Sequence, residues 1–169
     1  MGKKDNRQFT RMSIRWAVQL DFGEKRYRYF VDNLSLSGFL VKGECRQEVG
    51  DICKITIKES AFYIESFIHA VGLIVRITEQ AVALEFVCMK LNSFCCLQAS
   101  LLTKAIKPSV LANEIAYSDK FDFIGDLVIN SAHNLALREI RCGNWSFQLS
   151  QKEWYEQLYS ALYPDNRHF

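Results

Sequence analysis

At 169 residues the chain has room for one domain with a sizeable extension or for two small domains, and 49% hydrophobic against 24% charged residues excludes a disordered chain. A formal net charge of +2 is too small for bulk binding of a long polyanion. The charge is uneven, however: residues 1–31 carry eight basic side chains against three acidic ones, a basic front suited to a local anionic ligand.

From Met12 to about Cys88 the pattern is strand after strand. The run Met12–Phe22 alternates, with Ile14, Trp16, Val18 and Leu20 on one face and Ser13, Arg15, Ala17 and Gln19 on the other, and is expected as one strand. Gly23-Glu24 turns the chain into a second, aromatic and β-branched run ending at Leu34. Residues 38–42 make a short third strand. Gly50-Asp51 then turns into residues 52–58, where Ile52, Ile55 and Ile57 sit among polar neighbours. Residues 67–78 and 81–89 flank Glu79-Gln80, the expected tip of a long hairpin, and Gly72 suggests a bulge. Five or six short antiparallel strands closed by tight turns imply a small barrel.

The period then changes to that of a helix, with Phe94, Leu97, Leu101 and Leu102 in line, Asn92 or Ser93 as N-cap and Pro108 as its end. Residues 106–169 form a mixed α/β extension. Ser109 can cap a helix, Gly143-Asn144 can turn a hairpin, and Ser150 to Glu153 is a capping box opening a last helix that carries Trp154, Tyr155, Tyr159 and Tyr163. Cys45, Cys53, Cys88, Cys95, Cys96 and Cys142 show no metal-ligand spacing and are expected as buried free thiols. The polar N-terminus and the lack of a spanning apolar run lead to an expectation of a cytoplasmic protein without membrane insertion. No nucleophile elbow, Walker loop or zinc helix is present, so neither catalysis, a metal nor a cofactor is expected.

Two short stretches remain. Arg7-Gln8-Phe9-Thr10-Arg11 places two arginines four apart in a polar arm, open to reading as solvated charge, a phosphate clamp or half of a nucleotide site. Asn33-Leu34-Ser35-Leu36-Ser37-Gly38 places Leu34 and Leu36 inward and Asn33, Ser35 and Ser37 outward, ending in a glycine that lets a backbone turn or a ligand approach. Alone, such a polar rim ending in glycine is more often a β-turn than a site.

Together the arginine pair, two strands and (Asp or Asn)-x-Ser-x-x-Gly resemble the PilZ domain, a bacterial receptor module for cyclic di-GMP. The hairpin of residues 70–89, with its Gly-x-Val-x-Arg-like strand, extends the likeness to about residues 7–105. The resemblance implies a mainly β fold, a six-stranded antiparallel barrel with an N-terminal arm and a closing helix over residues 1–105. It also implies a ligand, cyclic di-GMP, with Arg7 and Arg11 as the clamp, Asn33 and Ser35 bonding base and phosphate groups, and Gly38 shaping the loop. It further implies an arm that orders over the nucleotide and signals to a protein partner, with a homodimer allowed and no nucleic-acid polymer bound. The alternative is a nucleotide-independent adaptor for motility or pilus machinery, with the aromatics of the last helix as its contact face.

Overall fold

The structure is a computed structural model and describes residues 9–23, 25–59 and 66–133. Arg7, the Gly143-Asn144 turn, the last helix and Cys142 lie outside the described residues.

The strands are β1 (Met12–Ser13), β2 (Ala17–Asp21), β3 (Arg26–Leu34), β4 (Gly38–Lys42), β5 (Ile52–Glu59), β6 (Ser66–Ile77), β7 (Ala81–Lys90), β8 (Phe121–Ile124) and β9 (Leu127–Asn130); the helices are α1 (Leu91–Lys104) and α2 (Pro108–Ala116). Strand β2 pairs with both β3 and β5, β6 lies between β5 and β7, and β4 bridges β3 to β7, all antiparallel. These pairings close a six-stranded barrel, as expected.

The alternation in the sequence is the alternation of the barrel wall. Ile14, Trp16, Val18 and Leu20 are all buried and Ser13, Arg15 and Ala17 are exposed. The run is nevertheless not one strand. Met12 pairs with Leu34 but Ala17 with Phe30, a register slip of one residue that splits it into β1 and β2. On β5 the inward set is Cys53, Ile55, Ile57 and Glu59, leaving Ile52 half-buried on the other face. The β6–β7 hairpin turns at Thr78–Ala81 as expected, and the register shifts at Gly72.

Phe94, Leu97 and Leu101 of α1 join the barrel core. Neither Asn92 nor Ser93 caps this helix: Lys90 is the N-cap, and the Leu91 amide donates instead to the Asp126 carbonyl. The Ser93 hydroxyl is taken by the His69 amide, at 3.1 Å. Helix α1 ends at Lys104, and Pro108 opens α2 rather than ending α1. Ser109 is accordingly inside α2, whose N-cap is Lys107.

The described part of the extension shares the barrel's core and sheet. Leu111 of α2 and Val128 of β9 belong to the main core cluster. Strand β9 pairs with the end of β7, Cys88 opposite Ile129, while β8 and β9 form a hairpin. Its two-residue connection is Gly125-Asp126, and Gly125, at φ +61, occupies the first central position as a type II′ turn requires. The other face of β9, with Leu127 and Ile129, packs on Val71, Val87 and Cys88 in a second, outer core. Of the described cysteines Cys53 and Cys88 are buried, Cys45 and Cys96 are half-buried, and Cys95 is exposed on α1, against the expectation of burial.

Candidate functional site

On the outer wall of the barrel a cleft is lined by Arg11, Asn33, Ser35, Ser37, Gly38, Phe39, Leu40, Val75, Arg76, Ala83, Leu84 and Glu85. It brings together four of the five residues expected at the site; the fifth, Arg7, lies outside the described residues.

Strand register explains the arrangement. Asn33 pairs with Leu40, Leu40 with Ala83, and Ala83 with Arg76, so one row crosses four strands. At about 4.8 Å per strand gap the row runs roughly 14 Å along the sheet, polar at both ends and apolar in the middle. The next row sets Gly38 opposite Glu85 and Glu85 opposite Leu73. Gly38 and Ala83 keep the floor low. Register shifts flank the cleft on two sides, between Val31 and Asn33 on β3 and between Ile74 and Arg76 on β6. Such bulges re-aim side chains beside sites.

The loop between β3 and β4 corrects one expectation. Leu34 and Leu36 are fully buried, as expected, but Ser35 is only 3% exposed rather than outward. Strand β3 ends at Leu34, and residues 35–37 turn too tightly for alternation to persist. The Ser35 amide donates to the Gly38 carbonyl at 2.9 Å. The Ser35 hydroxyl donates to the same carbonyl at 3.2 Å and accepts from the Ser37 amide at 3.3 Å. It therefore holds the loop, while the half-buried Asn33 and Ser37 are the more open polar groups. Gly38 has no room for a side chain: a Cβ there would run into the Leu84 carbonyl oxygen and sit 2.9 Å from Glu85 Cα.

Arg11 is exposed, but the two residues before it, Phe9 and Thr10, are anchored. Phe9 is 5% exposed in the core, with its ring 5.6 Å from that of Phe121. The Thr10 amide and hydroxyl donate to the two carboxylate oxygens of Glu114 on α2, at 2.8 and 2.6 Å.

Sequence reasoning missed Arg76, Glu85 and the group that holds Glu85. Arg76 stands in the Gly-x-Val-x-Arg-like strand, so its signal was present. Glu85 is the acidic residue in the lining, and its carboxylate is hydrogen-bonded to His133 Nε2. His133 closes a single 3-10 turn, Ser131–His133, directly after β9. The His133 hydrogen bond holds the Glu85 carboxyl below its ordinary range, against the opposing effect of burial, with the charges of His133, Lys120 and Arg11 adding to it. Asn130 fixes the seam beneath. Its side-chain amide donates to the Phe86 carbonyl at 3.1 Å, while the Phe86 amide donates to the Ser37 carbonyl at 2.8 Å. Here β7 exchanges β4 for β9 as neighbour, and both backbone groups of Phe86 are paired across the exchange.

The chain matches the PilZ domain family over residues 5–101, more than half its length. It belongs to the PilZ domain family. No curated protein matches it. Among solved structures it is similar to the inhibitor of motility MotI/DgrA of Bacillus subtilis, with a TM-score of 0.55 and 18% identity over 62% of this chain and 53% of that one. It is also similar to the PilZ domain of YcgR from Escherichia coli with c-di-GMP, with a TM-score of 0.50 and 16% identity over 66% of this chain and 98% of that one. Full YcgR in complex with c-di-GMP gives a TM-score of 0.51 and 16% identity over 65% of this chain and 50% of that one. The chain thus spans about half the length of the Bacillus protein, and at these identities the likeness is one of fold. PilZ domains are regulatory binding domains. Among the described residues of this one, no helix is long and apolar enough to cross a membrane.

Proposed function

We propose that this PilZ domain is a receptor for cyclic di-GMP that binds the nucleotide in the cleft on its outer wall and passes the signal to a protein partner. The carrying observation is the row Asn33–Leu40–Ala83–Arg76, low and apolar at its centre, with Arg11 beside it. A ligand with two phosphates and two guanines needs cationic charge and guanine recognition together. A guanidinium supplies both, pairing with guanine O6 and N7 or stacking on the base, where an ammonium offers only charge. Arg11 and Arg7 form the clamp in this reading, Asn33 bonds the ligand, and Ser35 and Gly38 hold the loop that presents it.

The described base of the arm, Phe9 and Thr10, is docked on β8 and α2, so closure over the nucleotide is the work of the segment that carries Arg7. Closure over the nucleotide converts that segment into a fixed surface for the partner. Motility control is the output class we infer, in line with the fold shared with an inhibitor of motility.

Isothermal titration with cyclic di-GMP tests the reading, with GMP and cyclic di-AMP as controls. Selective binding that is lost in Arg11→Ala is the expected result. Absence of heat with the wild-type protein would overturn it in favour of the nucleotide-independent adaptor.

A further inference from the structure

One group at the cleft does not suit an anionic ligand on charge alone. Glu85 lies among Arg11, Asn33 and Arg76, where a carboxylate repels phosphate unless it meets hydrogen-bond donors. Resting on the receptor reading, we propose that Glu85 reads the Watson–Crick edge of one guanine and that His133 is the positioning residue that holds it there.

Guanine is the base whose edge offers N1–H and the N2 amino group side by side, two donors for the acceptor-only oxygens of a carboxylate. Adenine presents a ring-nitrogen lone pair at the same place, which a carboxylate repels, so one side chain both favours guanine and rejects adenine. The structure leaves Glu85 free for this. Its strand neighbour Gly38 has no side chain to stand over it. The Glu85 side chain is 41% exposed while that of His133 is 14% exposed, so the tether is sheltered and the carboxylate opens to the cleft. His133 engages Oε2, and an ionised carboxylate with about four lone-pair sites retains capacity for the base. Its depressed pKa keeps it an acceptor at neutral pH. His133 lies beyond the residues that match the family, so the extension of this chain would supply part of the specificity.

Titration of wild type, Glu85→Gln, His133→Ala and His133→Gln with cyclic di-GMP, cyclic di-AMP and cyclic di-inosine monophosphate, which lacks the N2 amino group, tests this. Glu85→Gln is expected to weaken cyclic di-GMP by about tenfold or more, the worth of a charged hydrogen bond, without weakening cyclic di-AMP. In wild type the inosine analogue should fall between the two. His133→Ala should narrow the guanine-to-adenine ratio, and His133→Gln, which can still donate to Glu85, should restore it. A ratio unchanged in both Glu85→Gln and His133→Ala, or tighter cyclic di-GMP binding by Glu85→Gln, would overturn the assignment and leave the receptor reading standing. Wild type binding none of the nucleotides would overturn both.

Discussion

Gly38 lies directly across the β4–β7 pairing from Glu85, so the glycine that ends the loop motif is also a residue through which the barrel closes. The absence of a side chain there is a packing requirement, since a Cβ would meet the Leu84 carbonyl oxygen. Gly38→Ala is therefore expected to cost roughly 2 kcal/mol of stability by prising β4 from β7. Urea melts check it: a variant as stable as wild type would show that the strands can separate slightly at no cost. Any loss of ligand binding in this variant reports on the fold before it reports on the ligand.

Arg11 and Phe9 should separate the two roles of the arm. Arg11 is exposed, so Arg11→Ala should leave stability within about 0.5 kcal/mol while abolishing measurable nucleotide binding. Phe9 is buried between the barrel and Phe121, which in turn lies 5.0 Å from Phe94 of α1. Phe9→Ala should cost about 3 kcal/mol by leaving a cavity, and should weaken binding without touching the ligand, because it releases the anchor beneath Arg11. Thermal melts and titrations on both variants decide it. Equal destabilisation by the two would assign Arg11 a structural role.

Much of this was legible in the chain because barrel strands carry their orientation in a two-residue period. The inward set from Ile14 to Leu20 and the hairpin around Glu79-Gln80 follow from it, whereas the register shift at Gly72 was marked by the glycine itself, the extra residue lying opposite on β7. The positions Arg11, Asn33, Ser35 and Gly38 were legible through their motif spacing, and the structure lines one cleft with them. Ser35 was misread because the period fails where a strand ends in a turn. From Phe86 onward β7 changes from alternating to continuous burial, with an extra residue, Val87, set into its pairing with β6. Within that run β9 joins β7 as its neighbour in the sheet, and no pattern in β7 says which segment will pair there. The bond between His133 and Glu85 joins residues 48 apart, and no local pattern encodes it.

Glu59 makes the fold sensitive to acid. It is an inward residue of β5, 3% exposed, whose Oε2 accepts from the Ser66 hydroxyl at 2.5 Å and the Cys96 thiol at 3.2 Å. Burial raises its pKa, but hydrogen bonding from Ser100, Ser66 and Cys96 and the charge of Lys104 outweigh that and hold it below the ordinary 4.5. A carboxyl whose folded pKa is depressed contributes its full stability above the unfolded value and loses it as pH falls through the folded one. Glu59→Gln should therefore be less stable than wild type by about 1–3 kcal/mol at neutral pH, the worth of hydrogen bonds to a charged group. The gap should shrink as pH drops below 4.5, where the wild-type side chain takes up its own proton. Urea melts of both proteins between neutral pH and about pH 3 measure this window directly. A gap that stays constant or widens on acidification would mean that Glu59 is already protonated in the folded barrel, with burial prevailing over its hydrogen bonds.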